Sequence, residues 1–281
     1  MRLTAHKRMA AVLFGALALV AAGAAHADRL DDIKKAGVVR IATFDAYPPF
    51  GFVDAKSRQT IGLDVDYASA VAQKLGVKLQ LVPTNPANRI PLVISRKADL
   101  VFANFTITDE RKKEVDFSIP YFATGTKFIA KKGFLTAPEQ ISSLRVGADK
   151  GTTNEQQIRA QFPKARLVLF DDLPAQFAAL RAGNVQTIAQ DDINLYGLLA
   201  KLKTDQSPDA ALYEVAPFAI SHDYQGAGVP KGETRLLEAV NQALSALEAD
   251  GTARKIYDTW FGPGSALPFP RTYKIGDPQT Q

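Results

Sequence analysis

A chain of 281 residues without cysteine has no disulfides, no thiolate metal sites and no cysteine nucleophile. Of its three histidines, His6 and His26 fall in the first 27 residues and only His222 lies beyond, too little imidazole for a histidine zinc site or a Ser-His-Asp triad. The formal charge of +5 falls to +2 without the three basic residues of that N-terminal stretch, a balance that does not support nucleic-acid binding.

Arg2, Lys7 and Arg8 precede an apolar run over 9–20 and small residues ending at Ala25-His26-Ala27, the pattern of a cleavable secretory signal over 1–27. The run is shorter than the ~18–20 residues a spanning helix needs. The mature chain is therefore expected in a Gram-negative periplasm, without a lipid anchor because no cysteine can carry one. Its 254 residues, 281 less 27, suit two lobes of ~100–150 residues.

Beyond the signal, apolar runs of strand length alternate with amphipathic segments of helix length, which predicts an α/β fold with parallel sheets. Strand 38–43 leads to helix 64–75, whose Val65, Ala68, Ala72 and Leu75 share a face, then to strand 77–82, short helix 87–95 and strand 100–104. Extended segments follow at 115–122 and 126–131, before a polar stretch with Gly and Pro at 132–140, read as the first crossing between lobes. A second series runs strand 145–148, helix 153–162, strand 166–170, helix 173–182, strand 186–190 and helix 193–202. A Gly-rich strand at 225–229 and helices at 234–248 and 253–261 close the chain. Lobe 1 is then 28–129 with 223–281, and lobe 2 is 130–222.

Ligands of open α/β sheets bind beyond the carboxyl ends of strands, so the residues there matter most. Thr108 before Asp109-Glu110 is a helix N-cap signature, which aims free backbone N–H groups at the cleft beside Arg111; together they suit a carboxylate. The plainer alternative is an Arg111 paired with Asp109, Glu110 or Asp116. After strand 145–148, Gly151-Thr152-Thr153-Asn154-Glu155-Gln156 holds two overlapping capping boxes at a second candidate anion site. Asp191, at the end of strand 186–190, either meets an ammonium or caps the next helix. Anion-binding helix starts opposed by an acid are what an α-amino acid requires.

The order Tyr47-Pro48-Pro49-Phe50, Gly62-Leu63-Asp64-Val65-Asp66, Thr106-Ile107-Thr108 with Glu110-Arg111, Asp116-Phe117-Ser118 with Pro120-Tyr121, then Gly151-Thr152-Thr153, resembles the polar amino-acid-binding proteins of ABC transporters, solute-binding family 3. The likeness runs on to Asp250-Gly251-Thr252 and Trp260-Phe261-Gly262. It implies a two-lobed periplasmic binding protein fold of type II, hinged by two crossing strands, that closes on its ligand, acts as a monomer and serves an inner-membrane ABC permease without a cofactor. It carries the carboxylate-binding arginine onto Arg111, a nearby hydroxyl onto Thr106, second-lobe carboxylate contacts onto Thr152 or Thr153, the ammonium-binding acid onto Asp191, and the aromatic wall onto Tyr47, leaving Phe50 to the core.

Arg89 in Asn88-Arg89-Ile90-Pro91 resembles the arginine that glutamate- and aspartate-specific members aim at the distal carboxylate, a bond worth ~1.5–3 kcal/mol, with Asn104 also contacting the side chain. Phe44-Asp45 departs from that type, since Asp45 is the kind of residue that basic-specific members carry nearby. The ligand expectation leans to glutamate or aspartate. The alternative is a periplasmic enzyme on the same fold, the cyclohexadienyl dehydratase branch, whose acidic residue three positions past Asp191 is replaced here by Asn194.

Overall fold

Two five-stranded sheets organise residues 28–277, the part of the chain that the computed structural model describes. The signal expected at 1–27 and the tail 278–281 lie outside the described residues. In spatial order the first sheet runs Lys78–Thr84, Val38–Phe44, Leu100–Val101, Gly228–Pro230, Val115–Phe117. The second runs Arg166–Phe170, Arg145–Asp149, Thr187–Asp191, Thr126–Lys131, Tyr213–Val215. In each, the first three strands are parallel and the last two join antiparallel.

Helices cover both faces of the central strands, so Ile41, Ala42, Thr43 and Phe44 are buried in succession and the strand reads as a continuous run instead of an alternation. Helix Leu63–Leu75 buries Leu63, Tyr67, Ala68, Val71, Ala72 and Leu75 along one stripe against helices Thr234–Ala249 and Thr252–Phe261. It stops at Gly76, whose φ of 72° closes the last turn at no cost in Cβ strain.

Strands Phe122–Thr124 and Asp223–Gln225 pair antiparallel as a ribbon of their own between the two sheets. They are the two crossings. Between them and the second sheet, a Cβ on Gly125 would lie 2.3 Å from the Ser221 carbonyl oxygen, so glycine alone lets the two connections run this close. The crossing expected at 132–140 is thereby corrected: Thr126–Lys131 already hydrogen-bonds into the second sheet, and 132–140 is an outlying turn leading to Pro138–Ser143. Because Thr126–Lys131 pairs with Thr187–Asp191, we propose residue 126 in place of 130 as the edge between lobes. The rest of the lobe division stands as a proposal.

Two predicted strands divide. Pro120, which has no N–H to offer a ladder, falls between Val115–Phe117 and Phe122–Thr124. The segment 225–229 supplies the end of the crossing strand and the start of Gly228–Pro230, which belong to different sheets. The third strand stops at Val101, and the chain turns through Asn104 at φ 48°.

Candidate functional site

The carboxyl ends of both sheets face one cleft between the lobes, and all eight nominated residues line it: Tyr47, Arg89, Asn104, Thr106 and Arg111 from the first lobe, Thr152, Thr153 and Asp191 from the second. The lobes close on it so far that only about 10 Å³ is left, room for about one water molecule.

Thr108 caps the short helix Asp109–Lys112 by accepting the Arg111 N–H at 3.2 Å. This holds the Arg111 side chain inward, where Nη1 donates to the Thr106 carbonyl at 2.8 Å, Nη2 to the Gly151 carbonyl at 3.0 Å across the cleft, and the guanidinium lies 4.8 Å from the Phe105 ring centre. The plainer reading fails, because Asp109 pairs with Lys112, Glu110 with Lys113 and Asp116 with Lys231. Among the described residues Arg111 has no carboxylate partner. Burial, then the charge of Arg89, pulls its pKa down to about 9, a measure of what it costs to keep two guanidiniums dry and without counter-ions.

Opposite Arg111, Thr152 caps helix Thr153–Gln161, accepting from the Glu155 N–H at 3.2 Å and donating to the Asp149 carbonyl at 2.7 Å. Its hydroxyl is thus committed to the fold. The reciprocal arm of the capping box reaches Gly151, whose N–H donates to Glu155 Oε2 at 3.0 Å. The second predicted box, Thr153 with Gln156, does not form; the Thr153 hydroxyl stands instead 3.5 Å from that of Thr106 across the cleft.

Asp191 does not cap the helix that follows it; Asp192 accepts the Ile193 N–H instead. Asp191 is fully desolvated between Asn154 Nδ2 at 3.1 Å and Gln225 Nε2 at 2.9 Å, and burial pushes its pKa up to about 7. Gln225 belongs to the second crossing strand, so this acid is tied directly to the hinge.

Tyr47 stacks obliquely on Phe44, with ring centres 4.3 Å apart, while Phe50 sits in the first-lobe core. Arg89 lies between the rings of Phe44 and Phe105, at 5.5 and 4.7 Å from their centres. Its Nε donates to the Pro86 carbonyl and its Nη1 to the carbonyls of Ala103 and Asn104, while Nη2 makes no hydrogen bond with the described residues. Asp45 is exposed and outside the cleft lining.

Asp149, Asn154 and Gln190 were not singled out in the sequence. Asp149 is the last residue of a strand that sequence patterning ends at Ala148, and a polar residue at that carboxyl end was the available signal. It is wholly buried, accepts from Tyr47, Gln176 and Gln190, and desolvation lifts its pKa to about 6. No group of three or more metal-ligating side chains is assembled among the described residues.

Residues 39–263 match the pattern that defines the bacterial extracellular solute-binding proteins, family 3. This chain belongs to that family. The family-3 protein is 31% identical to the Escherichia coli K12 L-cystine-binding protein TcyJ, over 83% of this chain and 86% of that one. It is 29% identical to the Pseudomonas aeruginosa L-glutamate/L-aspartate-binding protein, over 83% and 79%. Among solved structures, the L-cysteine solute receptor of Neisseria gonorrhoeae superposes with a TM-score of 0.74 at 33% identity, covering 82% of this chain and 92% of that one. An ancestral amino acid-binding protein described as a precursor of cyclohexadienyl dehydratase gives 0.73 at 34% identity, covering 82% and 98%. The two-lobed α/β architecture of this family-3 protein is that of its neighbours.

Proposed function

We propose that this protein captures a polar L-amino acid outside the cytoplasmic membrane and delivers it to the permease of an ABC importer, as a monomer that closes on its ligand and leaves it unchanged. One observation carries the reading: among the described residues Arg111 has no carboxylate partner and Asp191 no cation partner, and the two line a single cleft from opposite lobes. Arg111, the Thr106 hydroxyl and the helix start at Thr152-Thr153 take the α-carboxylate, Asp191 takes the α-ammonium, and Tyr47 walls the site. The curated relatives, named for amino-acid binding, support this class.

For the ligand's side chain, the supporting feature is Arg89, a buried cation that among the described residues has no carboxylate partner and no hydrogen bond to its Nη2. An acceptor-bearing or anionic side chain offsets that desolvation, which favours glutamate or aspartate, with Asn104 as a further contact. Asp45, the residue that speaks for a basic ligand, is exposed and outside the cleft lining, which also supports this reading. A second reading, cysteine or cystine, is favoured by the names of TcyJ and the gonococcal receptor; Arg89 then serves mainly as a pillar held by three carbonyls. The enzymatic alternative would need a different acid, because position 194, where that branch carries one, is a buried amide here.

Calorimetric titration of unfolded and refolded protein against the twenty amino acids, cystine and prephenate tests all of these. Tight binding of glutamate or aspartate supports the Arg89 assignment; cysteine or cystine selects the second reading. Turnover of prephenate without amino-acid binding overturns the transport function.

A further inference from the structure

Of the Gly62-Leu63-Asp64-Val65-Asp66 motif, no residue lines the cleft, yet Asp64 is one of the most deeply buried carboxylates in the chain. Its position is fixed by the helix start: a Cβ on Gly62 would fall 2.1 Å from the Phe50 carbonyl oxygen, so the chain passes Phe50 only as glycine. Asp64 does not cap its own helix. Its Oδ2 accepts the Asn104 N–H at 2.7 Å and its Oδ1 accepts the Tyr121 hydroxyl at 2.7 Å. Asn104 stands at φ 48°, a left-handed conformation that a non-glycine residue keeps only when its surroundings hold it there. In that conformation its carbonyl accepts Arg89 Nη1 at 2.8 Å, and its side-chain Oδ1, buried and without a partner, belongs to a residue lining the cleft.

We propose that Asp64 is a positioning residue for ligand selection: by anchoring the Asn104 N–H it sets both the Asn104 side chain and the Arg89 guanidinium in the cleft without touching ligand. This rests on the proposed reading of Asn104 and Arg89 as side-chain contacts. The chain of contacts is continuous, Tyr121 to Asp64 to Asn104 to Arg89, and each link is a hydrogen bond of 2.7–2.8 Å.

The test compares wild type, Asp64→Asn and Asp64→Ser by calorimetry against the amino-acid panel and by amide hydrogen exchange at Asn104. Asparagine keeps an acceptor for the Asn104 N–H and can turn its amide to the tyrosine; serine is too short to reach. Asp64→Ser is expected to lower the affinity ratio between the best ligand and its nearest competitor by about tenfold and to speed Asn104 exchange by at least about tenfold, while Asp64→Asn keeps both close to wild type. A folded Asp64→Ser with wild-type preference and wild-type Asn104 protection overturns the proposal. If Asp64→Ser does not fold, Tyr121→Phe, which leaves Asp64 a single partner, is expected to show the same two changes in smaller measure, and their absence overturns it equally. Exchange needs no ligand, so a wild type that binds no amino acid defeats the clamp reading while the Asn104 measurement still decides whether Asp64 anchors that residue.

Discussion

The Tyr47 hydroxyl donates to Asp149 Oδ2 at 2.5 Å, first lobe to second, and accepts the Leu173 N–H at 3.1 Å. Both bonds exist only while the lobes are together. They stabilise the closed form whatever ligand it holds, and a contribution to closure scales all affinities alike. Tyr47→Phe keeps the ring wall and removes both bonds. Every ligand should then weaken by about tenfold, on the order of 1–2 kcal/mol, with the order of preference unchanged, as read by calorimetry. Selective loss of one ligand would place the hydroxyl on that ligand's side chain instead.

Arg111 and Asp191 carry the two charges of the zwitterion clamp in the proposed reading. Removing one partner of a desolvated charge pair costs about 2–5 kcal/mol, so Arg111→Ala and Asp191→Ala should each weaken binding by roughly 30-fold to 5,000-fold. Without ligand, Asp191→Asn removes a buried charge that has no cation partner among the described residues, so the unfolding temperature should hold or rise. Near-normal affinity in either alanine variant rules out the clamp.

Affinity and stability should respond to pH in opposite directions. An ammonium needs the Asp191 carboxylate ionised, and with its pKa near 7 the affinity should fall by up to about tenfold per unit as pH drops below 7. For the ligand-free fold, burial raises Asp191 and Asp64 to about 7 and Asp149 to about 6, from an ordinary 3.8. The folded state keeps protons that the unfolded chain releases, so the stability these groups contribute is full below about pH 4 and is lost as pH rises through 6 to 7. Thermal unfolding of wild type and Asp191→Asn across pH 4–8 isolates the Asp191 share; curves that stay parallel would remove it.

Arg89→Met should shift preference away from glutamate and aspartate by about tenfold or more relative to neutral ligands, and lower thermal stability because the Pro86, Ala103 and Asn104 carbonyls lose their donor. Competition binding with a neutral and an acidic amino acid gives the ratio. Equal weakening of both would make Arg89 a pillar of the cleft and not a reader of the side chain.

Local signals in the sequence were sufficient for most of the helices and central strands and for part of the candidate site. A cap such as Thr108 or Thr152 satisfies N–H groups two or three residues away, and strand and helix periods are written in adjacent positions, so both are legible without a fold. Helix caps and strand ends point to Arg111, Thr152, Thr153 and Asp191, whereas Tyr47, Arg89, Asn104 and Thr106 follow only from the family resemblance; strand ends that converge in an α/β sheet bring all eight to one cleft. The helix Arg29–Ala36 is not legible in the sequence because it is short, predominantly polar and buries only Arg29 and Ile33. Tertiary structure alone decided the rest: that Arg111 and Asp191 are free of the neighbours that could have paired or capped them, that Arg89 is caged by carbonyls, that Asp64 grips Asn104, and that the chain crosses at Gly125. Each depends on partners distant along the chain, as Tyr47 is from Asp149, and on which donors burial leaves unsatisfied, and neither is fixed until the two sheets face each other.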